Sequence, residues 1–182
     1  DLYRDATLYP LPGAFYLLAQ FYKLFGPSIL LSRWIVLLEF AAFVVLVFLL
    51  MRRILSLRSA GVVVLLLLGY RIWAFPHWQV YSYTTTCLLA ILAAVNCLLR
   101  FFDQRRTGWL VAAGLLFGLA VYCKQDYGAA ALVVMTATIV VEARRRGASF
   151  WRPISIFIAA GAGVGASVGV YFAAQGILPD LL

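Results

Sequence analysis

Three consecutive polar residues, Lys124, Gln125 and Asp126, separate two runs that are otherwise almost wholly apolar. A lysine ammonium is a point charge that suits a phosphate, and a neighbouring aspartate can hold a cation or an acceptor hydroxyl. The same residues also read as helix ends. Lys124 complements the negative C-terminal end of an outgoing helix, and Asp126 is a favoured N-cap for the next one. Either way the trio occupies a tight connection between two helices. Other chemistry-bearing residues are few: Arg4 and Asp5 near the start, His77 within "FPHWQVYSYTTT", and Glu39 and Arg71 inside apolar stretches.

The elements that position these residues follow from composition. Of 182 residues, 65% are hydrophobic and 12% charged, where a soluble domain carries about 25% charged. The mean hydropathy is +0.97. Apolar runs of about 18 residues or more recur with short gaps, the pattern of membrane-spanning helices. The expected fold class is all-α, a polytopic membrane helical bundle. Six spans are expected at about 29–51, 59–76, 83–101, 108–123, 127–142 and 153–175. Residues 1–28 form an outer loop with an interfacial helix, 29–176 the bundle, and 177–182 the start of another outer loop. The interfacial helix carries Tyr16, Gln20 and Lys23 as one polar stripe. The chain begins at Asp1 without a leader pattern and is expected to be an internal piece of a longer protein.

The formal charge of +8 is concentrated in loops. Arg52, Arg53 and Arg58, then Arg100, Arg105 and Arg106, then Arg144, Arg145, Arg146 and Arg152 make ten of the fifteen Lys/Arg. In an alternating path these three loops share one side, and short arginine-rich loops stay in the cytoplasm. The charge therefore reads as topology and contact with anionic lipid, not as a nucleic-acid surface. The opposite, outer side then receives His77, Trp78, Gln79, Tyr81 and Tyr83, together with Lys124 and Asp126. The aromatics read as a belt at the headgroup level or as a platform for sugar rings.

Inside the bilayer, a charged Glu39 costs about 2.5–3.5 kcal/mol on insertion scales, so a structural ion pair with Arg71 is expected. Asn96 should hydrogen-bond a neighbouring helix. Gly161, Gly165 and Gly169, at four-residue spacing, should admit a close helix within the bundle. Cys87, Cys97 and Cys123 lack metal-ligand spacing and read as small hydrophobes, with a Cys87–Cys123 bridge conceivable if both lie near one face.

Tyr3-Arg4-Asp5, Pro12-Gly13, Leu24-Phe25-Gly26 and Arg33, followed by "AAGLLFGLAVYCKQDYGA", form an ordered set. This set resembles the dolichyl-phosphate-mannose-protein mannosyltransferase-like family, glycosyltransferase family 39 and its bacterial relatives. The resemblance implies a GT-C fold with its active site at the outer face. It implies a polyprenyl-phosphate-linked sugar as donor and a hydroxyl acceptor on a glycan, lipid or protein. Lys124 and Arg4 would then meet the donor phosphate. Asp126, Gln125 and His77 would form the substrate or metal environment, with a divalent cation compatible with them. Asp5 is a candidate base, but the family's principal acidic motif precedes Tyr-Arg-Asp, so this stretch alone is expected to be inactive. The resemblance leans towards a bacterial inner membrane. The rival readings are a secondary transporter with a midplane Glu39/Arg71 site, against which the lack of an internal repeat counts, and a noncatalytic membrane subunit.

Overall fold

A computed structural model describes residues 13–74 and 80–174. These residues are helical, with no strand among them: α1 (Gly13–Phe25), α2 (Ile29–Met51), α3 (Leu57–Trp73), α4 (Tyr83–Gln104), α5 (Thr107–Cys123), α6 (Gln125–Arg145) and α7 (Trp151–Ala174). Among the described residues α2, α4, α6 and α7 are long and apolar enough to cross a membrane. At 17 residues each, α3 and α5 fall at the short end of what a crossing needs. The all-α membrane bundle read from the sequence is the fold observed.

The helices start and stop where local chemistry permits. Ser28, Ser56 and Ser82 cap α2, α3 and α4, their hydroxyls accepting from the N–H groups of Leu30, Ser59 and Thr84. Each such cap satisfies a backbone donor that the first turn leaves orphaned. Gly26, at φ +81° and followed by Pro27, ends α1; a left-handed residue there favours glycine.

α5 is the hub of the bundle, packed between α4 and α7. Its glycines make this possible. A Cβ on Gly114 would lie 2.5 Å from the Phe157 carbonyl oxygen, and one on Gly118 2.6 Å from that of Gly161. Beside this crossing the Phe117 and Phe157 rings stand 5.2 Å apart, and Phe157, Leu110 and Ile139 are fully buried.

The expected close-packing stripe on α7 is thus confined to Gly161. Gly165 and Gly169 have no described atom within 4 Å of an added Cβ. Every four residues a helix face drifts by about 40°, so Gly169 has turned well away from the side that meets α5.

The arginine loops meet at one end of the bundle. Arg53 pairs with Asp103 at 2.8 Å. Glu142 receives both Arg105 and Arg146, and Arg146 also donates to the Phe102 carbonyl. Lys124 lies at the other end.

Candidate functional site

α5 and α6 are joined by a single residue. Lys124 is both the last cap of α5 and the first of α6, in extended backbone at φ −155° and ψ 106°. Its N–H donates to the Ala120 carbonyl, and its own carbonyl accepts from Gly128 N–H. So tight a corner needs a glycine beside it. A Cβ on Gly128 would meet Val121 at 2.6 Å.

The corner aims the Lys124 side chain at α4. Nζ lies 3.5 Å from Thr84 Oγ1 and 3.9 Å from Asp126 Oδ2. It also stands over two rings, 4.0 Å from the centre of Tyr127 and 5.5 Å from that of Tyr83. The lysine side chain is 21% exposed and that of Asp126 68%. A half-sheltered ammonium on aromatic faces, with one exposed and weakly paired carboxylate beside it, still has donors to offer an anion.

Asp126 is not the N-cap expected from the sequence. α6 begins two residues earlier than the hydropathy pattern suggested, so Asp126 falls inside the first turn and no side chain caps the helix. Its charge still complements the helix N-terminus. Gln125 is exposed at the start of α6.

α1 lies across this same end. Tyr81 donates its hydroxyl to the Ala14 carbonyl at 2.7 Å, Phe15 meets Tyr83, and Tyr16 meets Tyr171 edge-on. Gly13 sits so close to Tyr122 that a Cβ would fall 2.5 Å from its ring. Burial pushes the pKa of the Tyr81 hydroxyl above its ordinary 10.0, so it stays a neutral donor. Gln20 and Lys23, from the predicted polar stripe, are exposed.

On the far side of the first turn of α4, Thr86 donates to Glu39 Oε1 at 2.7 Å. The expected Glu39–Arg71 ion pair is not formed among the described residues. Arg71 stacks instead over Phe40, 4.1 Å from its ring centre. Adjacent positions on α2 point about 100° apart, so α3 reaches Phe40 while Glu39 faces α4. Asn96 bridges α4 to α2 as expected, donating to the Leu46 carbonyl. The cysteines are free, with Cys87 contacting the Ala120 carbonyl. Arg4, Asp5 and His77 lie outside the described residues, as do Trp78 and Gln79. Among the described residues no three His, Cys, Asp or Glu side chains gather as a metal site.

Sequence reasoning missed Tyr127, Thr84 and Thr86 as partners. Tyr127 had a signal, since it is three residues past Lys124 and so near it at the start of α6. The threonines had none beyond their place at the start of a span.

A family model described as dolichyl-phosphate-mannose-protein mannosyltransferase matches residues 9–171. The chain belongs to that family. The match covers every described helix except the last three residues of α7. Membership makes this the chain of a multi-pass membrane glycosyltransferase, and the transporter reading is set aside. The chain has no match among curated proteins or solved structures.

Proposed function

We propose that this chain is part of a membrane glycosyltransferase that moves a sugar from a polyprenyl-phosphate donor to a hydroxyl acceptor. In this reading the Lys124 end faces the extracytoplasmic side, six helices from α2 to α7 cross the bilayer, and the arginine end faces the cytoplasm, as in a bacterial inner membrane.

The observation that carries the reading is the setting of Lys124. Its ammonium is fixed at a helix–helix corner, sheltered by Tyr127 and Tyr83, at the end away from the arginine loops. A lipid-linked phosphate sits at that depth. In transfer, the bond from the sugar anomeric carbon to the phosphate oxygen breaks and a bond to the acceptor oxygen forms. The acceptor proton passes to a carboxylate base, and polyprenyl phosphate leaves with negative charge growing on it. Lys124 stabilises that charge, with Arg4 a second cation for it. Asp126, Gln125 and His77 form the polar surroundings of the sugar or acceptor, and Asp5 is the candidate base on this chain.

The test is release of polyprenyl phosphate by the full-length protein in membranes, from a panel of polyprenyl-phosphate sugars. Lys124→Ala should lower turnover by about a hundredfold or more, with expression and thermal unfolding unchanged. Near-normal turnover would remove Lys124 from the donor phosphate.

A further inference from the structure

α6 stands between two grooves. One, of about 520 Å³, lies against α4 and is lined by Leu99, Phe102, Val134, Thr138 and Arg145. The other, of about 530 Å³, lies against α7 and is lined by Leu132, Thr136, Val140 and Ile158. Val133, Ala137 and Val141 line both and form the ridge between them, since residues four apart share a helix face. The grooves are apolar along their length. The Thr138 hydroxyl donates to the Val134 carbonyl, and the Thr136 oxygen is buried.

Depth says what kind of molecule fills them. From Val133 to Val141 the ridge rises about 12 Å, most of one leaflet of a hydrocarbon core about 30 Å thick. It starts near the middle of α6 and ends one turn before Arg145, in the last turn of the helix. Exposed Trp151, at the start of α7, marks the headgroup level at the same end. Two apolar slots of leaflet depth on either side of one ridge match the two tails of a phospholipid.

Charge selects the headgroup. Glu142 lies at the mouth of the α4 groove, but Arg105 and Arg146 hold it, and Arg146 also donates to the Phe102 carbonyl. Arg145 lines the same mouth, is exposed, and has no hydrogen-bond or ion-pair partner among the described residues. Three arginines around one glutamate leave this mouth positive. A zwitterionic headgroup brings an ammonium that the arginines repel and that Glu142, already paired, does not attract. An anionic headgroup brings a phosphate without that ammonium, and a guanidinium meets phosphate with two parallel donors.

We propose that a two-tailed phospholipid with a net negative headgroup straddles α6, one tail in each groove and its phosphate on Arg145. Basic mouths between membrane helices are suited to such headgroups. The site is separate from the donor phosphate at Lys124, which lies at the opposite end of α6, and does not depend on it.

The experiment uses the purified full-length protein in detergent and a phosphatidylglycerol bearing a diazirine in one acyl chain, with crosslinks mapped by mass spectrometry. Labelling should fall on Leu99, Phe102, Ile158 and the stretch from Val133 to Val141. Unlabelled phosphatidylglycerol should compete about fivefold better than phosphatidylcholine with the same tails, the worth of one basic residue facing an anionic lipid. Arg145→Gln should erase that preference, and Arg58→Gln, on α3, should keep it. Ala137→Trp raises the ridge into both grooves and should abolish labelling there. Should that variant fail to fold, the exposed Arg145→Gln still carries the test. Labelling confined to other helices, equal competition by phosphatidylcholine, a preference that survives Arg145→Gln, or labelling that survives Ala137→Trp would overturn the proposal. Loss of the preference in Arg58→Gln as well would overturn it by assigning the selectivity to the whole arginine end. Inorganic phosphate competing as well as the lipid would overturn it by assigning Arg145 to a free anion.

Discussion

The Lys124 ammonium stands 4.0 Å from the ring centre of Tyr127, its neighbour at the start of α6. The contact ties the charge to a helix rather than leaving it on a free side chain. The ring shelters one side of the ammonium, and Asp126 at 3.9 Å and 68% exposure is a weak ion-pair partner. Such a lysine is held in place yet not neutralised.

From this, Tyr127→Leu should weaken handling of the lipid-linked donor by about three- to thirtyfold, the range of a partly sheltered cation–π contact. Tyr127→Phe should be close to wild type, because the ring face and not the hydroxyl meets Lys124. Asp126→Asn should change turnover only a few-fold. Initial rates against donor concentration read all three. A Tyr127→Leu enzyme with unchanged rates would show that the ring does not order the lysine.

The α5–α7 crossing should tolerate no side chain. Gly118→Ala places a Cβ 2.6 Å from a backbone oxygen of Gly161, and overpacking of this kind costs about 1–3 kcal/mol. Gly165→Ala meets open space and should be neutral or stabilising by up to about 1 kcal/mol through helix propensity. Thermal unfolding in detergent separates them, and equal midpoints would contradict the packing.

Tyr81 fastens α1 through the Ala14 carbonyl, so Tyr81→Phe should cost about 1–2 kcal/mol and loosen α1. A pH signature accompanies it. Burial raises the pKa of Tyr81 in the folded protein above its ordinary 10.0. Its contribution is therefore complete below about pH 10 and is lost as pH climbs through the higher folded value. Wild type should lose stability above pH 10 more steeply than Tyr81→Phe. Parallel pH curves would mean the hydroxyl is not the anchor.

Arg71 and Glu39 should behave as independent residues. In a double-mutant cycle of Glu39→Gln and Arg71→Leu, the coupling should stay within about 0.5 kcal/mol, as for residues that share no partner. Glu39→Gln and Thr86→Val should couple more strongly, because those two side chains share a hydrogen bond. Strong Glu39–Arg71 coupling would restore the ion pair that the sequence alone implied.

Much of the protein is legible in one dimension. A long apolar run commits a segment to a helix because the bilayer offers no other partner for its backbone, and α2 begins and ends where its hydropathy does. The arginine clusters fixed which loops share an end, and that end is where Arg53 meets Asp103 and Arg146 meets Glu142. The lysine corner was visible too, as polar residues between two spans. These are properties of segments, and a segment has them wherever it is placed.

What the tertiary structure decided is rotation and depth. Glu39 is ten residues into α2, yet it pairs with Thr86 in the first turn of α4, because neighbouring helices are offset along their axes. Lys124 finds Thr84 forty positions away in the chain. The stripe on α7 meets α5 only at Gly161, while Gly114 and Gly118 of α5 admit the crossing. Each depends on which side of a helix faces which neighbour. Where apolar residues surround a helix on every side, hydropathy fixes neither its rotation nor its offset, and both are set by side chains and backbones meeting across the bundle.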